Sequence, residues 1–173
     1  KAVLQRYIYG RDTFISLETE NFTLSFANKI VDDAIAQHTW VLPNGHGVDG
    51  AGWSPISSSV LRDHLTYVKG RSDAKAIWVE TVANVAKYVK ERTAAQVLLT
   101  ASTNGACTFT VQCPTLNAAI YDAALTIKVN TGDITATTAT ATRGTTPLPV
   151  VIKPGYLMVD VVPGATAVTV TYQ

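Results

Sequence analysis

Charge nearly vanishes from this chain after residue 92. Residues 1–92 carry 11 Lys/Arg and 10 Asp/Glu, whereas residues 93–173 carry three of each and are rich in Thr, Val and Ala. The shift follows Lys87-Tyr88-Val89-Lys90-Glu91-Arg92, a polar helix end, and places a boundary near residues 93–96, giving regions of 1–93 and 94–173. The second region alternates with period two. Phe109 and Val111 share one face, as do Leu125, Ile127 and Val129, and further runs cover 134–142, 150–152, 156–162 and 167–172. Asn104-Gly105, Thr131-Gly132-Asp133, Pro154-Gly155 and Pro163-Gly164 punctuate these runs with turn residues. Short strands with turns at this spacing predict a β-sandwich over 94–173. The Thr-Ala tract at 135–142 reads as a solvent-facing strand, because Thr suits a pleated surface.

The first region alternates helix and strand signals. Leu24, Ala27, Ile30, Val31, Ala34, Ile35 and His38 follow helical spacing. Thr39-Trp40-Val41-Leu42 reads as a short buried strand closed by Pro43-Asn44-Gly45, and the Gly- and Pro-containing stretch 47–57 reads as a loop. Ser57 and Ser58 offer N-caps for a helix with Val60, Leu61, His64, Leu65 and Val68 on its face, ended by Gly70. Ala76-Ile77-Trp78-Val79 reads as a second strand, and Val82, Val85, Ala86 and Val89 mark a last helix. This order predicts parallel strands with helices outside them. Only two or three strands are visible, too few for a parallel sheet covered on both faces, so the region reads as half of an α/β domain.

Composition excludes several classes. A formal net charge of +1 offers no field to attract nucleic acid or acidic lipid. No apolar run approaches the roughly 18 residues that cross a bilayer. The opening at Lys1, without an initiator Met or an apolar leader, points to a processed, trimmed or partial chain. Cys107 and Cys113 stand six residues apart in Cys-Thr-Phe-Thr-Val-Gln-Cys. On one extended strand that spacing is about 20 Å, beyond the roughly 7 Å between Cα atoms that a disulfide tolerates, so two thiols are expected. Asn21-Phe22-Thr23 is a glycosylation sequon. There is no nucleophile elbow, no phosphate-binding loop and no Cys/His zinc spacing.

The residues with chemical interest cluster in Trp40-Val41-Leu42-Pro43-Asn44-Gly45-His46-Gly47-Val48-Asp49-Gly50-Ala51-Gly52-Trp53-Ser54-Pro55-Ile56. This stretch resembles a late motif of the polysaccharide deacetylases, carbohydrate esterase family 4, in which a strand ends in His before a Gly-Trp-x-Pro-Ile loop. The resemblance continues through Ile30-Val31-Asp32-Asp33-Ala34-Ile35, Val60-Leu61-Arg62-Asp63-His64-Leu65, Ile77-Trp78-Val79-Glu80-Thr81 and the helix ending at Arg92. The segment 120–129 resembles a β-domain that follows some of these enzymes. Together these matches span about residues 24–173. They imply an α/β partial barrel, the C-terminal half of a deacetylase-type barrel, followed by the β-domain. They also imply an exported or cell-surface hydrolase that removes acetyl groups from a polysaccharide, whether chitin-like, peptidoglycan-like or acetylated xylan.

In the family a zinc-like divalent metal is held by one Asp and two His, with a second Asp as base toward metal-bound water. His46 matches the family's general acid, which protonates the leaving group. Leu42 matches a position lining the acetyl-methyl pocket, and Trp53 offers a flat face to a sugar ring or an anchor for the loop. Asp49 is placed to cap or brace the loop. The Thr-Phe-Asp-Asp-Gly context and the His pair at i, i+4 are absent from this sequence. The resemblance therefore places the metal half in a missing N-terminal portion or another chain, and leaves this chain inactive by itself. Asp32 and Asp33 fall within a helix pattern and read as solvated charge, His38 reads as a helix end, and His64 as a satisfied core or boundary histidine. Arg6 and Arg11 are candidates for the Arg that orients the family's base. The rival reading is a non-catalytic extracellular protein derived from that fold, serving structure, self-assembly or carbohydrate binding, with open sheet edges as its means of association.

Overall fold

A computed structural model of the protein describes residues 15–18 and 22–173. Arg6, Arg11 and Asn21 lie outside the described residues. The elements run β1 (Ile15–Leu17), α1 (Leu24–Gln37), β2 (Pro43–Gly45), α2 (Ser58–Asp73), α3 (Val82–Ala94), then β3 (Gln96–Thr103), β4 (Ala106–Gln112), β5 (Leu125–Asn130), β6 (Ala139–Arg143), β7 (Thr146–Leu148), β8 (Val150–Lys153), β9 (Tyr156–Val161) and β10 (Gly164–Tyr172). The chain forms two compact units, Lys1–Glu80 and Thr81–Gln173, so that α3 belongs with the strands that follow it.

Among the described residues of the first unit the expected α/β partial barrel is not found. Its sheet has two strands, β1 and β2, paired in parallel from Ile15↔Pro43 to Leu17↔Gly45. The strand expected at Thr39–Leu42 forms instead at 43–45, and Ala76–Val79 forms none, with Trp78 and Val79 exposed. Eight of the ten strands lie in the second unit, so the described chain is mostly β with three helices. The reason is physical: an apolar tetrapeptide has strand-like composition, but only a neighbour that takes up its backbone N–H and C=O groups makes it a strand.

The helices of this unit hold together through side chains. Thr23 caps α1 by accepting from Phe26 N at 3.1 Å, and His38 ends it in the left-handed conformation at φ 54°. The helix expected to stop at Gly70 continues to Asp73. Asp32 is more than solvated charge, because its Oδ1 accepts from Tyr67 OH at 2.5 Å and from Arg71 Nη2 at 2.8 Å, tying α1 to α2. Leu17, Phe22, Ala27 and Ile56 form the small core. His64 is buried beside it, edge-on to Phe22, with Nδ1–H donating to Asn28 Oδ1 at 2.9 Å. Burial lowers its pKa, favouring the neutral ring.

The second unit stacks a five-stranded sheet, β3-β4-β10-β6-β7, against a three-stranded one, β5-β9-β8. Alternate residues of facing strands fill the space between them: Cys107, Phe109 and Val111 on β4, Leu125 and Val129 on β5, Leu157, Val159 and Val161 on β9, Val168 and Val170 on β10. Asn104-Gly105 closes the β3–β4 hairpin with Gly105 at φ 82°, a conformation that glycine adopts without strain. The Thr-Ala tract becomes strand only from Ala139, and the amides of Thr137 and Thr138 bond to Gln173 O instead. Both cysteines are free thiols, Cys107 in the core and Cys113 donating to Glu91 O at 3.4 Å.

Glu91 is fully buried on α3. Its Oε2 accepts from Ala123 N at 3.0 Å, while Oε1 has no hydrogen-bond partner. Loss of hydration pushes this carboxyl up, against the pull of the Ala123 amide. A raised pKa means that the folded chain keeps a proton that the unfolded chain has lost. Stability is therefore greatest below the ordinary value near 4.5 and falls as pH rises through the higher folded value. Glu91→Gln removes this titration. The native chain should lose melting temperature relative to this variant as pH rises from about 4.5 to the folded value. Parallel pH profiles for the two proteins would refute the assignment.

Candidate functional site

The loop between β2 and α2 gathers the residues that the sequence singles out. β2 ends at Gly45, and His46 leaves it with the ring in solvent. Trp53, 65% exposed, meets that ring edge-on, with centroids 4.7 Å apart and planes at 78°. Leu42 sits at the entry to β2, half-buried, its carbonyl accepting from Ile15 N at 3.0 Å. The structure thus brings His46 and Trp53 into contact, with Leu42 four residues before His46 at the opposite end of β2.

Several features fix this loop. Val48 and Ile56 form an isolated parallel bridge, with Asp49 N donating to Ile56 O and Ile56 N to Gly47 O, each at 3.0 Å. Ile56 is itself buried in the core of the unit, which anchors the returning limb. Asp49 takes the left-handed conformation at φ 51° and its Oδ1 accepts from Ser58 N at 2.9 Å. A carboxylate at the first residue of α2 meets unpaired amides and the positive end of the helix dipole. Ser57, the formal N-cap, makes no side-chain cap bond, so the cap expected from a neighbouring serine is supplied from nine residues upstream. Hydrogen bonds from Ser58, then the charge of Arg62, hold the Asp49 carboxyl below its ordinary value. Gly47 and Gly52 let the chain cross itself, which their position in a Gly-rich run suggests but does not locate.

Two of the four described non-glycine residues with positive φ, Asp49 and Ser54, belong to this loop. Backbone held in such conformations persists where the surroundings over-determine it, a condition met often at ligand sites. The arrangement offers a polar ring able to exchange a proton, with an exposed indole beside it, on a braced loop at the end of a strand.

The metal that the resemblance implies has no home among the described residues. No group of three or more His, Cys, Asp or Glu there is placed to hold one. Asp32 is engaged by Tyr67 and Arg71, and Asp33 by Lys29 at 2.5 Å. The described residues do not fit the group, and no step below runs through it. Nor is any described helix long and apolar enough to cross a membrane. Comparison of the chain with protein-family models, with curated proteins and with solved structures finds no match.

Proposed function

We propose that the His46–Trp53 loop is a carbohydrate site and that the chain is the general-acid portion of a polysaccharide deacetylase. The observation that supports this most is the exposed indole set 4.7 Å from the imidazole, because sugar rings stack on flat apolar faces and their leaving oxygens need a proton donor within reach. In this reading Trp53 holds a pyranose ring, His46 donates its proton to the sugar nitrogen or oxygen as its bond to the acetyl carbon breaks and water takes the acetyl group away as acetate, and Leu42 lies along the acetyl methyl. Any divalent metal would be held by residues other than those described. The reading places the protein outside the cell or on its surface, where such polymers lie.

The test has two stages. Titration with acetylated chito- and xylo-oligosaccharides should change the tryptophan fluorescence of this chain. Trp53→Ala should weaken that binding about tenfold, the scale of one lost stacking contact. His46→Ala should leave binding nearly intact and lower kcat of the longer deacetylase by about 10²–10⁴. Binding of neither oligosaccharide class would sink the proposal. Binding that depends on Trp53, with hydrolysis indifferent to His46, would reduce the loop to a non-catalytic sugar-binding surface.

A further inference from the structure

We infer that β3 is a docking edge for a second copy of this chain, the two β3 strands pairing antiparallel about a two-fold axis at Leu98. Among the described residues β3 has one neighbour, β4, and all eight of its residues are exposed. Its free side presents a row of backbone N–H and C=O groups, which a further strand satisfies better than any side chain does.

The side chains of β3 add a second reason. Val97 stands opposite Val111, and Leu99 opposite Phe109. Residues opposite each other in an antiparallel pair share a face, so Val97 and Leu99 point to the core side with the buried Val111 and Phe109. Yet they are 54% and 58% exposed, because five strands are faced by three and β3 overhangs. The apolar layer between the sheets runs out unfinished at this strand.

The other edges are guarded and this one is not. β7 has three residues and includes Pro147, β8 has four and ends in Lys153, and β5 carries Lys128. Short length, proline and lysine are the usual means of blocking edge pairing. β3 is eight residues long, and from Arg92 to Asp122 the chain has no charged residue. Two such neutral strands approach without repulsion.

The sequence of β3 is also self-complementary. With the axis at Leu98, Val97 falls opposite the partner's Leu99 on the core side, and Leu98 opposite the partner's Leu98 on the outer side. Both copies thereby extend the unfinished apolar layer, in the isologous arrangement that closes a dimer. The register shift between Leu99 and Ala101 bounds the paired segment. There Thr100 turns its hydroxyl inward to donate to Thr108 O at 3.0 Å. None of this depends on the carbohydrate reading.

Sedimentation of the full chain over a range of concentrations tests the inference. The native protein should shift with concentration from 18.5 kDa to a dimer of twice that mass. Leu98→Lys and Leu98→Glu each place like charges across the axis and should each weaken dimerisation at least a hundredfold. Leu98 is 63% exposed, so both variants should fold. Mixing the two should restore a dimer, since opposite charges then meet at the same position. A native chain that stays monomeric throughout would overturn the inference. So would a Leu98→Lys variant that dimerises as the native chain does, or a mixture that remains monomeric.

Discussion

Leu157→Ala should lower the unfolding free energy of the β unit by about 2–5 kcal/mol. Leu157 has no exposed surface and sits on β9, the central strand of the three-stranded sheet, in one core cluster with Val168 and Val170 of the other sheet. Truncation there removes apolar contacts and leaves a cavity that strands paired on both sides are ill placed to close, since β9 is fixed by β5 along one flank and β8 along the other. Against a typical total of about 5–15 kcal/mol, the loss is a large share. Trp40, Trp53 and Trp78 all precede Thr81, so tryptophan fluorescence reports the first unit and the β unit is read by far-UV circular dichroism. In urea the dichroism midpoint should fall with little change in slope. A midpoint displaced by no more than a surface substitution would mean that the two sheets do not enclose a packed core.

That core was the most legible part of the sequence. Phe109 and Val111, or Leu125 and Val129, alternate because each strand has one face in the core and one in water, and a half-buried strand writes its period into its residues. β3 carries no such mark. Val97, Leu98 and Leu99 are consecutive, and both faces of the strand are open, so no alternation was required of them. The opposite error occurred at Thr39–Leu42 and Ala76–Val79. Their composition is strand-like, but a parallel strand depends on a neighbour remote in sequence, and only the short pairing of β1 with Pro43–Gly45 is made.

At the candidate site, residue type was legible and support was not. His46 and Trp53 stand out as a strand-end histidine and a loop tryptophan, and they do meet. That Asp49 would cap α2 from nine residues away depends on how the loop folds back, which no local spacing encodes. Glu91 is the clearest case. It stands next to last in a polar run, Lys-Tyr-Val-Lys-Glu-Arg, that reads as a polar helix end, yet its carboxyl is buried where Ala123 donates to it. The sequence neighbours of Glu91 are exposed or half-buried, and what removes it from water arrives thirty residues later in the chain.

Gly47→Ala should abolish the site without touching either ring. A Cβ at residue 47 would lie 1.6 Å from the carbonyl oxygen of Ala51 and 2.7 Å from its carbon. These are backbone atoms, and no rotamer change moves them. Ala51 is held by its own N–H to Val48 O at 3.1 Å, and Gly47 O by the amide of Ile56 at 3.0 Å. Relief of the overlap therefore requires the turn at 48–51 to open, which releases the Val48–Ile56 bridge and the Asp49 cap and separates His46 from Trp53. Saccharide binding should fall at least as far as in Trp53→Ala, about tenfold, although the indole is still present. Gly50→Ala supplies the contrast. Gly50 has φ 85° with no atom within 4 Å of the added carbon, so the substitution meets backbone strain of about 1–2 kcal/mol and no collision. It should destabilise the loop only slightly and leave binding near the native value. If Gly47→Ala binds as the native chain does, the crossing of the chain over residue 47 is not what positions the two rings, and the proposed site loses its structural basis.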